Sequence, residues 1–363
     1  MKTQQLMAVA AALMADDKGL LAMDESNATC NQRFAALGIA QTPEMRRQWR
    51  DLIVTAPGLG ESISGAILFD ETMRQQTNSG RPFAQALTDA GMIAGIKVDA
   101  GAKDLALHPG EKVTEGLDGL RERLAEYAGM GARFAKWRAV TTIGNAIPGK
   151  ACIQANAHAL ARYAALCQEA GLVPIVEPEV LMDGDHTLQR CAQVTERVLR
   201  AVFKQLDNAG VLLEGMLLKP AMLLSGSASS EQASVDDVAD ATVQSFLRVV
   251  PAAVAGVAFL SGGQSGELAS ARLNAMNLRF KSRLPWPLTF SFSRAIQHPA
   301  LEIWHGQQAK LADAQKALLH RAACNRAARR GQYSAAMDSQ ATPRQAIERW
   351  ESEGGEVPPS ARS

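Results

Sequence analysis

Short apolar runs, many of them β-branched, alternate along this chain with longer segments of helical periodicity. Each run has the length of a buried strand, and we predict eight of them. The predicted strands are Gly19–Met23, Ile63–Phe69, Met92–Val98, Arg133–Trp137, Leu172–Val176, Gly215–Lys219, Gly256–Leu260 and Leu288–Ser291. The predicted helices between them include Glu44–Val54, Leu117–Gly129, Ala155–Ala170, Leu188–Gln205, Asp236–Val250 and Gly266–Asn277.

This alternation predicts a parallel α/β protein, and eight strands are the number that closes a TIM (β/α)8 barrel. The alternative is a doubly wound open sheet. That fold would lead us to expect a Gly-x-Gly-x-x-Gly turn after the first strand, and the sequence has none there. From Ser339 onward the chain is polar and rich in Gly and Pro. We therefore predict a single barrel domain over residues 1–338, followed by a flexible C-terminal tail over residues 339–363.

Composition and charge narrow the class of protein. The 363 residues are 47% hydrophobic with a formal net charge of +1, which gives no reason to expect binding to nucleic acid or to a membrane surface. No apolar stretch is long enough to cross a bilayer, and we interpret Leu6–Met14 as an N-terminal helix rather than a signal sequence. The five cysteines form no Cys-x-x-Cys pair, which is typical of reduced thiols in a cytoplasmic protein.

Polar side chains follow the predicted strands at the end where a TIM barrel carries its chemistry. Seven of the strand ends have ionisable or hydroxyl groups, so we expect one convergent cluster rather than isolated surface charges. Side chains two residues apart on a strand point to the same face. The groups are Asp24-Glu25-Ser26, Lys97-Val98-Asp99, Lys136-Trp137-Arg138, Glu177-Pro178-Glu179, Lys219, Ser261-Gly262-Gly263, and Ser291 with Arg294.

Lys219 is the most informative of these residues, because it ends an apolar run and is followed at once by Pro220. Burial disfavours the charged ammonium, so a neutral, nucleophilic fraction is expected, and lysines of this kind form Schiff bases with carbonyl compounds. Like-charge repulsion from Lys136 would favour the neutral amine further. A lysine that snorkels to the surface is the alternative, and this segment alone does not decide between the two.

The same cluster offers proton carriers and an anion site. Glu177 and Asp24 lie on different strands, so different environments would let each carry a separate proton. The segment 260–265 is a glycine-rich turn leading into a helix, where free backbone N–H groups favour a phosphate. Arg294 adds a bidentate contact from the eighth strand, and the loops after strands seven and eight are the usual phosphate position in this fold.

Other catalytic classes have little support in the sequence. The six histidines stand apart with no His-x-x-x-His pair for zinc, and no Gly-x-Ser-x-Gly turn is present. The segment 183–186 resembles a ligand cluster, but we interpret it as a solvated turn before a helix. We therefore expect neither a metal nor another cofactor.

Together these motifs resemble the class I fructose-bisphosphate aldolases, over about residues 5–333. The matching segments are residues 19–26, 65–69, 80–83, 95–99, 134–138, 173–179, 183–186, 217–220 and 259–265. The order of Val-Glu-Pro-Glu, Leu-Leu-Lys-Pro and Leu-Ser-Gly-Gly-Gln-Ser is the most specific part of the match.

The resemblance implies a role for each matching position. Lys219 would form the Schiff base, Glu177 would shuttle protons, and Asp24 would take the hydroxyl proton as the carbon–carbon bond breaks. Lys136 would stabilise charge on the intermediates, and Glu179 would interact with this cationic cluster. The implied contacts to one phosphate are Ser261, Gly262, Gly263, Ser291 and Arg294. The implied contacts to the other end of the substrate are Ser26, Arg33, Lys97 and Arg138, with Arg50 as a further basic residue.

Three departures from the family pattern are expected to affect the turnover rate and the preference between mono- and bisphosphate substrates, but not the core reaction. Asn27-Ala28-Thr29 replaces a Thr/Gly/Ser run, and Ser293 replaces a glycine before Arg294, where it is expected to narrow the phosphate pocket. The chain ends in Ser363, whereas many members end in a tyrosine.

We therefore predict a lyase, namely a cytoplasmic class I fructose-bisphosphate aldolase acting in glycolysis and gluconeogenesis. Its substrates would be phosphorylated ketoses and trioses, and the resemblance suggests a homotetramer. Two alternatives remain open at this point: a Schiff-base aldolase for a different phosphorylated ketose, and a non-catalytic protein that kept the barrel.

Overall fold

Strands and helices alternate through residues 2–340, the part of the chain that this computed structural model describes. The strands are β1 Gly19–Ala22, β2 Ile63–Leu68, β3 Ile93–Lys97, β4 Ala102–Asp104, β5 Lys112–Thr114, β6 Phe134–Thr141, β7 Val173–Val180, β8 Leu217–Leu218, β9 Val257–Phe259 and β10 Leu288–Phe292. The helices are α1 Lys2–Leu13, α2 Asn27–Ala36, α3 Pro43–Val54, α4 Asp70–Arg74, α5 Phe83–Asp89, α6 Leu120–Gly129, α7 Lys150–Glu169, α8 Leu188–Asn208, α9 Val235–Val249, α10 Gly266–Phe280, α11 Arg294–Trp304 and α12 Leu311–Arg330.

Eight of the strands close into a barrel in the order β1-β10-β9-β8-β7-β6-β3-β2, and every neighbouring pair is parallel. The predicted (β/α)8 barrel is thus confirmed, and the open sheet is excluded because a closed barrel has no edge strand. The strands β4 and β5 form a separate antiparallel ribbon that the sequence analysis did not predict.

The eight predicted strands all exist, but their lengths differ from the prediction. β6 and β7 continue to Thr141 and Val180 because their pairing extends past the charged residues at their centres. β8 is only two residues long, preceded by a 3₁₀ helix over Leu213–Gly215. Lys219 therefore lies just after the strand, although its N–H still donates a hydrogen bond to Val176 O at 2.8 Å.

The amino-terminal end of the barrel is closed by α1. Leu6, Ala10 and Leu13 of this helix pack against inward-facing strand residues such as Leu20 and Phe134. The N-terminal helix that the sequence predicted over Leu6–Met14 is thus present, and it begins earlier. It fills the end of the barrel opposite the polar strand ends.

The main core lies between the barrel and the surrounding helices. Large aromatic side chains fill this core: Phe246 of α9 stacks on Phe259 of β9 at 5.7 Å between ring centroids, and Trp49 of α3 stacks on Trp304 of α11 at 5.4 Å. Hydroxyl side chains cap the amino termini of helices and so set where the helices begin. These N-cap residues are Ser26, Thr42, Thr187, Ser234 and Ser265.

Three further predictions concern the chain as a whole. The predicted tail over residues 339–363 lies outside the described residues except for Ser339 and Gln340, which end a 3₁₀ helix over Ala335–Gln340. Within residues 2–340, no helix combines the length and apolar character that crossing a bilayer requires. All five cysteines are described, and each is a free, buried thiol.

Candidate active site

The inward-facing side chains change from apolar to charged along the barrel axis. Because alternate residues of a strand face the interior, Leu217 and Lys219 share one face, as do Ile175 and Glu177. The apolar members lie in the cluster next to α1. The charged members lie near the carboxyl ends of the strands, where they line an open cleft of about 1160 Å³.

Four charged groups at the base of this cleft form a continuous chain of ion pairs. Lys136 Nζ is 2.7 Å from Asp24 Oδ2 and 3.2 Å from Glu177 Oε2. The other oxygen of Glu177, Oε1, is 3.2 Å from Lys219 Nζ. All four residues are buried, and their formal charges sum to zero. Opposite charges held this close offset much of the cost of removing them from water.

Strand pairing is what places Lys219 next to Glu177. In the register between β7 and β8, Val176 lies opposite Leu218, so the residues that follow, Glu177 and Lys219, are also neighbours. Lys219 is only 3% exposed, which excludes the surface-snorkelling interpretation that the sequence had left open. The arrangement gives a buried amine with one carboxylate partner.

Asp24 and Lys136 bias each other towards their charged forms. Burial alone would raise the pKa of Asp24, but the nearby ammonium groups of Lys136 and Lys219 hold the pKa of this carboxyl below its usual value. Burial would likewise lower the pKa of Lys136, but Asp24, Glu177 and Asp99 raise it well above its ordinary range. Lys136 is therefore a fixed cation, and Asp24 a fixed proton acceptor, at neutral pH.

One side of the cleft has the features of an anion site. The turn after β9 contains Gly262 and Gly263, both with positive φ, of +56° and +90°. Ser265 then caps the first turn of α10. Ser291, at 1% exposure, lines the same cleft, and its Oγ has no hydrogen-bond partner within the described residues. A buried hydroxyl of this kind, facing an open cleft, is available to a ligand.

The opposite side of the cleft carries a second group of basic residues. Arg138 forms an ion pair with Glu179, and Lys97 Nζ is 2.8 Å from Asp99 Oδ1. Arg33 lies on α2 between the two groups, because its guanidinium pairs with Glu25 and also donates a 3.4 Å hydrogen bond to Ser293 Oγ, next to Arg294. Residues 27–29, which depart from the family pattern, form the first turn of α2, where Ser26 Oγ accepts a hydrogen bond from the Thr29 N–H at 3.3 Å.

Of the fifteen candidate residues predicted from the sequence, fourteen line this one cleft. Arg50 is the exception. Its side chain is 3% exposed and forms a 2.7 Å ion pair with Glu25 Oε2, on the far side of that carboxylate from Arg33. The sequence placed Arg50 in the site, but the structure places it behind the wall of the cleft, because α3 packs its inner face against α2.

Glu25 and Asp99 are the polar residues whose importance the sequence analysis underestimated. Both were noted at strand ends, next to Asp24 and Lys97, but neither was assigned a role. In the structure Glu25 Oε1 accepts hydrogen bonds from Ser293 Oγ at 2.6 Å and Gln297 Nε2 at 3.0 Å. Ser293, expected to narrow the phosphate pocket, lines the cleft and also holds Glu25 in place. The feature of the sequence that could have indicated a role for Glu25 is its position directly after Asp24, at the end of the first strand.

The segment 183–186 matches its prediction as a turn only in part. Asp183 and Asp185 are exposed, as expected of a solvated turn, whereas His186 is buried at 7% exposure. Burial lowers the pKa of the His186 imidazole, so this ring is neutral near neutral pH.

The chain is similar in sequence to proteins of one family. The sequence model for the family described as "Fructose-bisphosphate aldolase class-I" matches residues 5–351. A protein of Xanthomonas campestris pv. campestris named "Probable fructose-bisphosphate aldolase class 1" is 53% identical, covering 92% of this chain and 99% of its own. "Fructose-bisphosphate aldolase 4, cytosolic" of Arabidopsis thaliana is 49% identical, covering 92% of this chain and 84% of its own.

A solved structure gives the same similarity in three dimensions. The fructose-bisphosphate aldolase from Plasmodium falciparum, crystallised in complex with TRAP and a small-molecule inhibitor, superposes with a TM-score of 0.90 at 46% identity. The alignment covers 92% of this chain and 96% of that one.

Proposed function

Because this chain belongs to the class I fructose-bisphosphate aldolase family, we propose that Lys219 is the residue that forms its Schiff base. The protein is a lyase that reversibly cleaves fructose 1,6-bisphosphate to dihydroxyacetone phosphate and glyceraldehyde 3-phosphate through a lysine imine. Membership of this enzyme family excludes the alternative of a non-catalytic protein that kept the barrel. What remains to be assigned is which residue performs each step.

The observation that carries the assignment is the unequal pairing of the two buried lysines. Within residues 2–340, Lys136 forms ion pairs with both Asp24 and Glu177, whereas Lys219 forms one, with Glu177. A lysine held between two carboxylates keeps its proton and is a poor nucleophile. Among the described residues Lys219 pairs with one carboxylate, which it shares with Lys136, so we assign the attack on the ketone carbon to Lys219.

Glu177 is placed to carry protons for this step. Attack by the Lys219 amine gives a carbinolamine, which loses water to form the protonated imine, and the departing hydroxyl needs a proton. Glu177 lies 3.2 Å from Lys219 Nζ, within one side-chain movement of that hydroxyl. Lys136 stays positive throughout and stabilises negative charge that develops at Glu177 or on the substrate.

Asp24 is proposed as the base for carbon–carbon cleavage. Its lowered pKa keeps it ionised at neutral pH, as removal of the proton from the C4 hydroxyl of the substrate requires. As that proton leaves, the C3–C4 bond breaks and its electron pair enters the imine, which gives an enamine and the free aldehyde. Protonation of the enamine and hydrolysis of the imine then release the second triose phosphate.

The two basic sides of the cleft are proposed to hold the two phosphates. Ser261, Gly262, Gly263, Ser291 and Arg294 would bind one phosphate through backbone N–H groups, hydroxyls and a guanidinium. Ser26, Arg33, Lys97 and Arg138 would contact the other end of the substrate, with Glu179 orienting Arg138. Arg50 would act only through Glu25, by fixing the carboxylate that holds Arg33.

Borohydride trapping tests the central assignment. Reduction of the protein with sodium borohydride in the presence of dihydroxyacetone phosphate should attach a three-carbon adduct to Lys219, as located by peptide mass spectrometry. Lys136 serves as the internal control, because it lies in the same cleft and should stay unmodified. An adduct on Lys136, or no adduct on Lys219, would overturn the assignment.

Replacement of Arg33 tests the second phosphate contact. Arg33→Met should raise KM for fructose 1,6-bisphosphate by about tenfold or more, because a charge-assisted bidentate contact is lost. The variant should also be tested with fructose 1-phosphate and fructose 6-phosphate. The KM for the monophosphate that lacks the phosphate contacted by Arg33 should change little. Arg47→Met, on the exposed pair with Glu44, is the matched control. An equal loss with both monophosphates would contradict the contact.

Two broader properties are inferred from the relatives. We infer a cytoplasmic location because plant relatives are described as cytosolic, and a homotetramer because the family resemblance suggests one. Cell fractionation and light scattering after size exclusion measure these directly. A particle mass of about 39 kDa, equal to one chain, would contradict the tetramer.

A further inference from the structure

Away from the cleft, three side chains of metal-ligating type converge where α12 meets the 3₁₀ helix Ala335–Gln340. His320, Cys324 and Asp338 each offer one ligand atom, and these atoms lie within 4.8 Å of one another. His320 and Cys324 are four residues apart and so share one face of α12, with His320 Nε2 3.5 Å from Cys324 Sγ. None of the three lines the active-site cleft.

We propose that His320, Cys324 and Asp338 form a binding site for a zinc ion, with water as the fourth ligand. An imidazole nitrogen, a thiolate sulfur and a carboxylate oxygen are the ligands that zinc takes in proteins, and one further ligand completes its tetrahedron. Calcium and magnesium require oxygen ligands instead. The mixed nitrogen, sulfur and oxygen set therefore selects a softer divalent ion.

Neighbouring groups orient the proposed ligands. Asp338 accepts one hydrogen bond at each oxygen, from Arg321 and from the hydroxyl of Tyr333, which leaves further lone pairs on both oxygens. The His320 ring also has a hydrogen bond to the backbone of Met337. Such outer contacts fix the direction of metal ligands and are a regular part of zinc sites.

The charges at the site suit a cation. Asp338 forms an ion pair with the buried guanidinium of Arg321. Zinc binding would release the proton of the Cys324 thiol, leaving a thiolate and the Asp338 carboxylate against this one guanidinium.

An access path adjoins the site. A cavity of about 1110 Å³ lies among α9, α10, α11 and α12, and His320, Tyr333 and Asp338 contribute to its wall. Solvent and ions can reach the half-buried His320 and Asp338 from this side, whereas Cys324 lies beneath them. The cavity thus supplies both the entry route and the space for a water ligand.

Cobalt substitution tests the proposal in the full-length protein. Chelator-treated protein titrated with Co²⁺ should bind one equivalent with a thiolate-to-cobalt charge-transfer band and the visible absorption of a tetrahedral centre, both lost on addition of Zn²⁺. His320→Ala, Cys324→Ala and Asp338→Asn should each weaken Co²⁺ binding at least about tenfold. Zn²⁺ should raise the melting temperature of the wild type and not of these variants.

Controls separate this site from other thiols and histidines. Cys191→Ala removes a buried thiol on α8, and His158→Ala removes an exposed imidazole on α7, so both should leave the Co²⁺ spectrum unchanged. Far-ultraviolet circular dichroism of each ligand variant verifies that it is folded. The proposal is overturned if the charge-transfer band is absent. It is also overturned if the folded Asp338→Asn variant binds Co²⁺ with the same affinity as the wild type.

Discussion

At the scale of single residues, Glu25 organises one wall of the cleft although it makes no proposed contact with substrate. It is paired with Arg50 on one side and Arg33 on the other, and it accepts hydrogen bonds from Ser293 and Gln297. Burial would raise its pKa, but Arg50 and Arg33 lower it far below the usual range. The position of Arg33 therefore depends on a buried network rather than on a single contact.

Glu25→Gln should destabilise the protein by about 3–5 kcal/mol at pH 7, because it leaves Arg50 buried without a counter-charge. The folded pKa of Glu25 lies below its unfolded value of about 4.3, so its stabilising effect is complete above that pH and is lost as the pH falls through the folded pKa. The difference in free energy of unfolding between wild type and variant should thus narrow below about pH 4.3.

Urea unfolding at a series of pH values measures this difference. Glu44→Gln is the control, since Glu44 also has a lowered pKa, of about 2, but pairs with Arg47 at the surface, where solvent screens the interaction. A Glu25→Gln effect no larger than that of the control would count against the network.

At the scale of elements, glycines make room for aromatic rings of the neighbouring strand on both faces of the barrel wall. A Cβ atom built on Gly95 of β3 would lie 2.2 Å from the ring of Phe134 on β6, inside the barrel. A Cβ atom built on Gly19 would lie 2.5 Å from Phe290, in the core between the barrel and the helices. Small residues beside large ones let both layers fill without voids or overlap. These glycines are therefore required by packing across strands, not by backbone conformation.

Gly95→Ala should lower the free energy of unfolding by about 1–3 kcal/mol, because the methyl group overlaps a fully buried ring. Gly129→Ala is the matched control: this glycine ends α6, and an added Cβ would meet nothing within 4 Å. The control should be neutral or stabilise by up to about 1 kcal/mol. Thermal or urea unfolding distinguishes them, and equal midpoints for the two variants would disprove the packing argument.

At the scale of the whole molecule, one end of the barrel is apolar and contributes to stability, whereas the other end is charged and carries the candidate active site. Helix α1 seals the amino-terminal end with an apolar plug, whereas the carboxyl-terminal end holds the charged chain from Asp24 to Lys219. The plug keeps water out of the interior below the catalytic charges. Stability and catalysis should accordingly be separable by substitutions at opposite ends.

Leu13→Ala should destabilise the protein by about 2–5 kcal/mol while leaving kcat/KM nearly unchanged in conditions where the variant is folded. The cause is a cavity among inward-facing residues distant from the cleft. Met7→Ala, at a side chain 41% exposed on the same helix, should change stability by less than about 0.5 kcal/mol. A large drop in kcat/KM for folded Leu13→Ala would show that the two ends are coupled.

The sequence by itself determined the barrel with its eight strands and most of the candidate site, because each is indicated by a local pattern in the chain. Apolar runs alternate with helical periodicity, and the polar residues of a TIM barrel are the ones that directly follow those runs. Helix ends and the lengths of β6, β7 and β8 were less well predicted. They depend on capping and pairing with neighbouring strands rather than on composition.

Only the tertiary structure decided which charges touch. Nothing in the sequence distinguishes Lys136, which lies between two carboxylates, from Lys219, which pairs with one, since that difference follows from how four separate strands are placed around the barrel. The same holds for Arg50, which resembles a substrate contact in the sequence but pairs with Glu25 behind the cleft wall. Ion pairing depends on distances of a few ångströms between residues far apart in the chain, and closure of the barrel alone sets those distances.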